Sequence, residues 1–99
     1  MNKFQEVLQG EKPVLVDFYA SWCGPCQQLA PELKKLAERM GDRMRVIKVD
    51  VDKNPDAASH YSVLGVPTLI LFRKGELLWR QSGAMSAEQL EQIVSGLTG

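Results

Sequence analysis

The apolar run Val14-Leu15-Val16-Asp17-Phe18-Tyr19-Ala20 leads within three residues to Cys23-Gly24-Pro25-Cys26, and an amphipathic pattern starts there. Such a run with one charge reads as a strand buried on both faces. Pro25 suits the first turn of a helix, where its missing N–H costs nothing. The segment is therefore read as strand, tight junction, helix, with Cys23 near the positive end of the helix dipole. These are also the only two cysteines. Three positions apart, they can close a small disulfide ring across one turn and reopen it without refolding anything else. A bridge that short cannot staple distant parts of a fold, so its use is chemical, which suits a reducing compartment.

The pattern around this junction places the other elements. Phe4, Val7 and Leu8 mark a short amphipathic helix stopped by Gly10. From Cys23 a long helix carries Leu29, Leu33, Leu36 and Met40 on one stripe and ends at Gly41, with Pro31 inside it removing one hydrogen bond and bending the axis. Met44–Val51 reads as a second strand. Asn54-Pro55 reads as a cap and first turn of a helix reaching about Tyr61. Thr68–Arg73 and Glu76–Gln81 flank Lys74-Gly75, a tight hairpin. Ser86 and Gln89 form a capping box, and Leu90, Ile93, Val94 and Leu97 stripe the last helix. The order αβαβαββα gives two parallel strands joined by a right-handed crossover, then an antiparallel hairpin, with helices on both faces of the sheet.

Ninety-nine residues are read as one domain, 1–99, with a single core. Twelve basic residues balance twelve acidic ones, so nothing points to nucleic acid or an anionic membrane. No stretch approaches membrane-spanning length and Met1–Glu6 has no apolar core of an export signal, so a cytoplasmic location is expected. A metal role for the cysteine pair is disfavoured, because zinc wants four ligands and His60 is the only further N/S donor.

Trp22-Cys23-Gly24-Pro25-Cys26, Asp17 in Val16-Asp17-Phe18, Pro31, Gly65-Val66-Pro67-Thr68 and Ser82-Gly83-Ala84 together resemble the thioredoxin family, from about Phe4 to Leu97. The resemblance implies a thioredoxin fold: an α/β protein whose central mixed sheet, here of about four strands, is flanked by helices on both faces. It implies a protein-disulfide reductase with Cys23 as nucleophile and Cys26 as resolving thiol. No bound cofactor is expected, and electrons come from NADPH through a separate thioredoxin reductase. Gly24 and Pro25 set the redox poise and resemble those of the reducing members. Asp17 resembles the family's buried aspartate that moves the Cys26 proton. Lys48 matches that aspartate's lysine partner. Trp22, Val66, Pro67, Gly83 and Ala84 would form a shallow surface for disulfide-containing proteins, with Pro67 in the cis form.

Alternatives stand beside several of these. Asp17 can sit at a strand end facing water, Lys48 can be an outward strand lysine, and Trp22 can be a packed core residue. The rival functions are a non-catalytic interaction module and a disulfide oxidase or isomerase. Both cysteines with Asp17 and Pro67 count against the first, and Gly24-Pro25 against the second. Three positions depart from the family pattern: Gln27 where lysine is common, Tyr19 where tryptophan is frequent, and too few residues before the first helix for the family's first strand. The expectation is a four-stranded sheet with Arg45–Val51 at an open edge, blunted by Arg45, Lys48, Asp50 and Asp52, and a monomer. Trp79 has no assigned role.

Overall fold

In the computed structural model, which describes residues 2–99, the buried run becomes the central strand β1 (Val14–Tyr19). It pairs in parallel with β2 (Arg45–Asp50) and antiparallel with β3 (Thr68–Arg73), which pairs antiparallel with β4 (Glu76–Ser82). The strand order β2-β1-β3-β4 makes a four-stranded mixed sheet with β2 and β4 at its edges. The helices are α1 (Lys3–Leu8), α2 (Gly24–Met40), α3 (Pro55–His60) and α4 (Ala87–Thr98), with a single 3-10 turn at Gly41–Arg43.

Side chains alternate across the sheet, so β1 feeds two cores at once. Leu15 joins Leu29, Leu33, Leu36 and Met40 of α2 and Leu90 and Val94 of α4 on one face. Val14, Val16 and Phe18 join Leu8, Ile70 and Phe72 on the other, beneath α1 and α3. Each fully buried Leu contributes about 2 kcal/mol by leaving water. Trp79 lies opposite Leu71 and packs, partly buried, against the α2–α4 core.

Local chemistry explains the element ends. Asn2 and Gln5 form a capping box on α1, a signal the sequence reading passed over. Ser86 and Gln89 form the expected one on α4. The α2 helix stops at Gly41, whose φ of 54° favours glycine. Asn54 does not cap α3 through its side chain, contrary to the sequence reading: Nδ2 donates to the Asp50 carbonyl instead. Lys74 and Gly75 both take positive φ, 54° and 78°, as a two-residue hairpin of right-handed twist requires. Their N–H groups donate to the carbonyls of Gly10 and Leu8, so the hairpin tip holds the end of α1.

Candidate active site

Residues 20–26 bring β1 to its end and start α2. Cys23 is the N-cap of α2, in extended backbone, and its Sγ accepts a hydrogen bond from the Cys26 N–H at 3.2 Å. A sulfur thus fills the place usually taken by a serine or aspartate oxygen, among the free N–H groups of a helix start. Negative charge on that sulfur is stabilised there, which favours the thiolate. Cys23 and Cys26 are joined as a disulfide with Cα atoms 5.2 Å apart. Exposure does not separate them, at 4% and 6%. What separates them is the N-cap position of Cys23.

Val66-Pro67 is a cis peptide bond, and the Val66 carbonyl oxygen lies 3.6 Å from Cys23 Sγ. Pro67 is itself buried, and half-buried Val66 packs against the cysteines. The Gly83 N–H donates to the Pro67 carbonyl at 2.9 Å, tying the end of β4 to the same loop. Ala84 follows, exposed. Gly24 and Pro25 are exposed beside the disulfide. Trp22 is 69% exposed, so the alternative of a packed core tryptophan is discarded. Its Nε1–H donates to Asp52 Oδ2 at 2.8 Å. Trp22, Val51, Leu64 and Val66 surround an apolar hollow of about 130 Å³. Leu64, which sequence reasoning missed, is 97% exposed. Its only signal was an apolar side chain belonging to no helical or strand period.

Asp17 is buried on β1, on the same face as Leu15 and so on the face covered by α2. The alternative of a solvent-facing strand end is therefore set aside. Its Oδ1 has no hydrogen-bond partner among the described residues. Burial pushes its carboxyl up to about 6, and the positive charge of Lys48 acts in the opposite direction. Lys48 stands opposite Asp17 in the β1–β2 register. Its Nζ lies 4.7 Å from the centre of the Tyr19 ring, a cation–π contact, and no salt bridge joins it to Asp17 among the described residues. The lysine therefore reaches the aspartate through its field, not through contact. A hollow of about 140 Å³ bounded by Tyr19, Cys26 and Lys48 opens beside the second cysteine. Among the described residues no group of three or more His, Cys, Asp or Glu is placed to hold a metal ion, and no helix is long and apolar enough to cross a membrane.

A disulfide at a strand-to-helix junction, its first sulfur capping the helix, defines a thiol-disulfide oxidoreductase. The thioredoxin family model matches residues 1–96. The chain is 48% identical over 88 residues to a thioredoxin of Alicyclobacillus acidocaldarius subsp. acidocaldarius, covering 89% of this chain and 84% of that one. It is 46% identical over 98 residues to the chloroplastic thioredoxin Y of Oryza sativa subsp. japonica, covering 97% of this chain and 58% of that protein. The structure superposes on a point-mutant thioredoxin from Halobacterium salinarum NRC-1 with a TM-score of 0.89 at 40% identity, covering 100% of this chain and 86% of the other. The chain belongs to the thioredoxin family, and it reduces protein disulfides by dithiol exchange through Cys23 and Cys26.

Proposed function

We propose that Cys23 is the attacking thiolate and Cys26 the resolving thiol, within one thioredoxin domain over residues 1–99. The observation carrying this order is the Cys26 N–H directed at Cys23 Sγ, at the N-cap of α2. The thiolate attacks one sulfur of a substrate disulfide. That S–S bond breaks, a mixed disulfide forms, and one substrate thiolate leaves. Cys26 then gives up its proton to the Asp17 carboxylate and attacks Cys23 Sγ. The second substrate thiolate departs and the intramolecular disulfide closes, so two electrons have passed to the substrate. A carboxyl that titrates at about 6 can both take and return that proton near neutral pH. Lys48 keeps it from rising further, and the hollow beside Cys26 gives protons a way to solvent.

Trp22, Gly24, Pro25, Val66, Gly83 and Ala84 line the docking surface, with buried Pro67 following Val66. Apolar side chains and main-chain groups there discriminate little among sequences, which suits a reductant of many disulfide-containing proteins. An NADPH-dependent thioredoxin reductase in the cytoplasm returns the electrons, and this chain carries them on its cysteine pair with no prosthetic group of its own.

Limited alkylation of the reduced protein tests the order of the thiols: Cys23 is expected to be labelled before Cys26. Because their exposures are alike, equal labelling would remove the electrostatic distinction. Turnover of NADPH with candidate reductases tests the electron source. The charges of Arg45, Lys48, Asp50 and Asp52 at the β2 edge keep the protein monomeric, and sedimentation is expected to give one 11.1 kDa species. A tight dimer would contradict that reading.

A further inference from the structure

The loop from Ser62 to Pro67 carries Leu64 and Val66 to the rim of the apolar hollow, yet it contains no helix or strand to fix it. Edge strand β4 holds its start through Arg80, and Thr68 of β3 holds its end. Arg80 Nη1 donates to the Tyr61 carbonyl, and Nη2 donates to the Ser62 carbonyl at 2.7 Å. Those carbonyls end α3, where a guanidinium also meets the negative pole of the helix. Ser62 has φ of 54°, a left-handed conformation that serine rarely adopts without support. At the far end, Thr68 Oγ1 donates to the Gly65 carbonyl at 2.7 Å and lies 3.1 Å from Ser82 Oγ. Arg80 and Ser82 are two residues apart, so they project from the same face of β4. Between the two ties stands Leu64, an almost fully exposed apolar side chain less than one turn of loop from the carbonyl that faces Cys23.

We propose that Arg80 is a positioning residue for substrate recognition: it fixes the start of this loop so that Leu64 and Val66 present a preformed apolar seat to the chain bearing the target disulfide. This rests on the reading of the Trp22–Val66 hollow as the docking surface. A fixed loop lowers the entropy lost when a protein substrate binds, whereas a small disulfide that reaches Cys23 without touching Leu64 gains nothing from it. Arg80 therefore governs binding of large substrates and leaves the chemical step alone.

The test is stopped-flow reduction by the pre-reduced protein, comparing the native chain with Arg80→Gln and Arg80→Lys. Insulin serves as the protein disulfide and 5,5′-dithiobis(2-nitrobenzoic acid) as the small one. With Arg80→Gln, the insulin concentration giving half the maximal rate rises roughly 3–10-fold, as expected for losing charge-assisted hydrogen bonds at an exposed site, while the plateau rate holds. The small disulfide is reduced at the native rate. Arg80→Lys recovers part of the loss, since an ammonium keeps the charge but lacks the planar fork that places one nitrogen on each carbonyl. In a Leu64→Ser background, Arg80→Gln adds little, because both act through the same seat. Equal slowing of both disulfides, fully additive effects with Leu64→Ser, or a lowered melting temperature with unchanged insulin kinetics would each overturn the proposal. A native chain that reduced the small disulfide but not insulin would instead strike the docking surface itself, and this inference with it.

Discussion

Replacing Cys26 with serine is expected to convert a catalyst into a trap. The Cys26→Ser protein keeps the N-cap sulfur of Cys23 and the backbone N–H that points at it, so attack on a substrate disulfide proceeds. No second thiol remains to break the mixed disulfide, and turnover falls by at least about 10³-fold, as when a member of an interdependent catalytic pair is removed. Mass spectrometry of the non-reduced protein then shows one substrate chain attached through Cys23. Cys23→Ser removes the attacking group and leaves neither turnover nor adduct. The two phenotypes differ because only the first thiolate needs to meet the substrate and only the second can release it. A stable adduct on Cys23→Ser with none on Cys26→Ser would reverse the two roles.

The second large effect concerns Asp17. Asn in its place keeps the shape and removes a buried carboxylate whose Oδ1 has no hydrogen bond among the described residues. The sign of the stability change follows from linkage. The carboxyl titrates near 3.8 in the unfolded chain and at about 6 in the folded one. Below 3.8 both states hold the proton. Between 3.8 and 6 the unfolded chain has lost it and the folded chain has not, so stability falls as pH rises through this window. Above 6 the full cost of burying the charge is present, on the order of 3 kcal/mol. Asp17→Asn should therefore be more stable than the native protein at pH 7–8, by roughly 1–3 kcal/mol in denaturant melts. The gain should vanish below about pH 4, where Asp17 is protonated in both states. Release of the mixed disulfide should slow by about 10²-fold, the usual contribution of a positioned base, and lose its dependence on pH near 6. Turnover unchanged from pH 6 to 9 would take Asp17 out of the mechanism. A loss of stability would show that its charge is paired with Lys48 after all.

Much of this architecture was legible in the sequence because several signals agreed over long spans. The buried run at Val14–Ala20, the 3.6-residue stripe of α2 and the Lys74-Gly75 turn mark β1, α2 and the β3–β4 hairpin, whereas the order β2-β1-β3-β4 rests on the antiparallel β1–β3 pairing, which no local signal carries. Pro25 and the two cysteines fix where the helix starts. The resemblance, not periodicity, pointed to Asp17, Lys48 and Pro67. The placement of Asp17 and Lys48 is decided by strand register: a shift of one residue in β1 would turn Asp17 to the opposite face of the sheet.

What stayed hidden is what depends on contacts across the chain. Trp22 has the same composition cue whether packed or exposed, and its exposure together with its hydrogen bond to Asp52, 30 residues on, shows it standing at the rim. Asn54 looked like a cap, but the Asp50 carbonyl claims its side chain. Arg80 reads as an ordinary polar position on an edge strand until its partners on another loop are seen. Lys48 faces the aspartate in register, yet its ammonium rests on Tyr19, a detail that rotamers decide.

Reduction of insulin by dithiothreitol, followed by the turbidity of the released B chain, tests the central claim most directly. With micromolar amounts of the native chain, precipitation should begin well before the dithiothreitol control, and Cys26→Ser should give no acceleration. If the native chain, its two thiols confirmed by titration, precipitated insulin no faster than dithiothreitol alone, the Cys23–Cys26 pair would not be a protein-disulfide reductant.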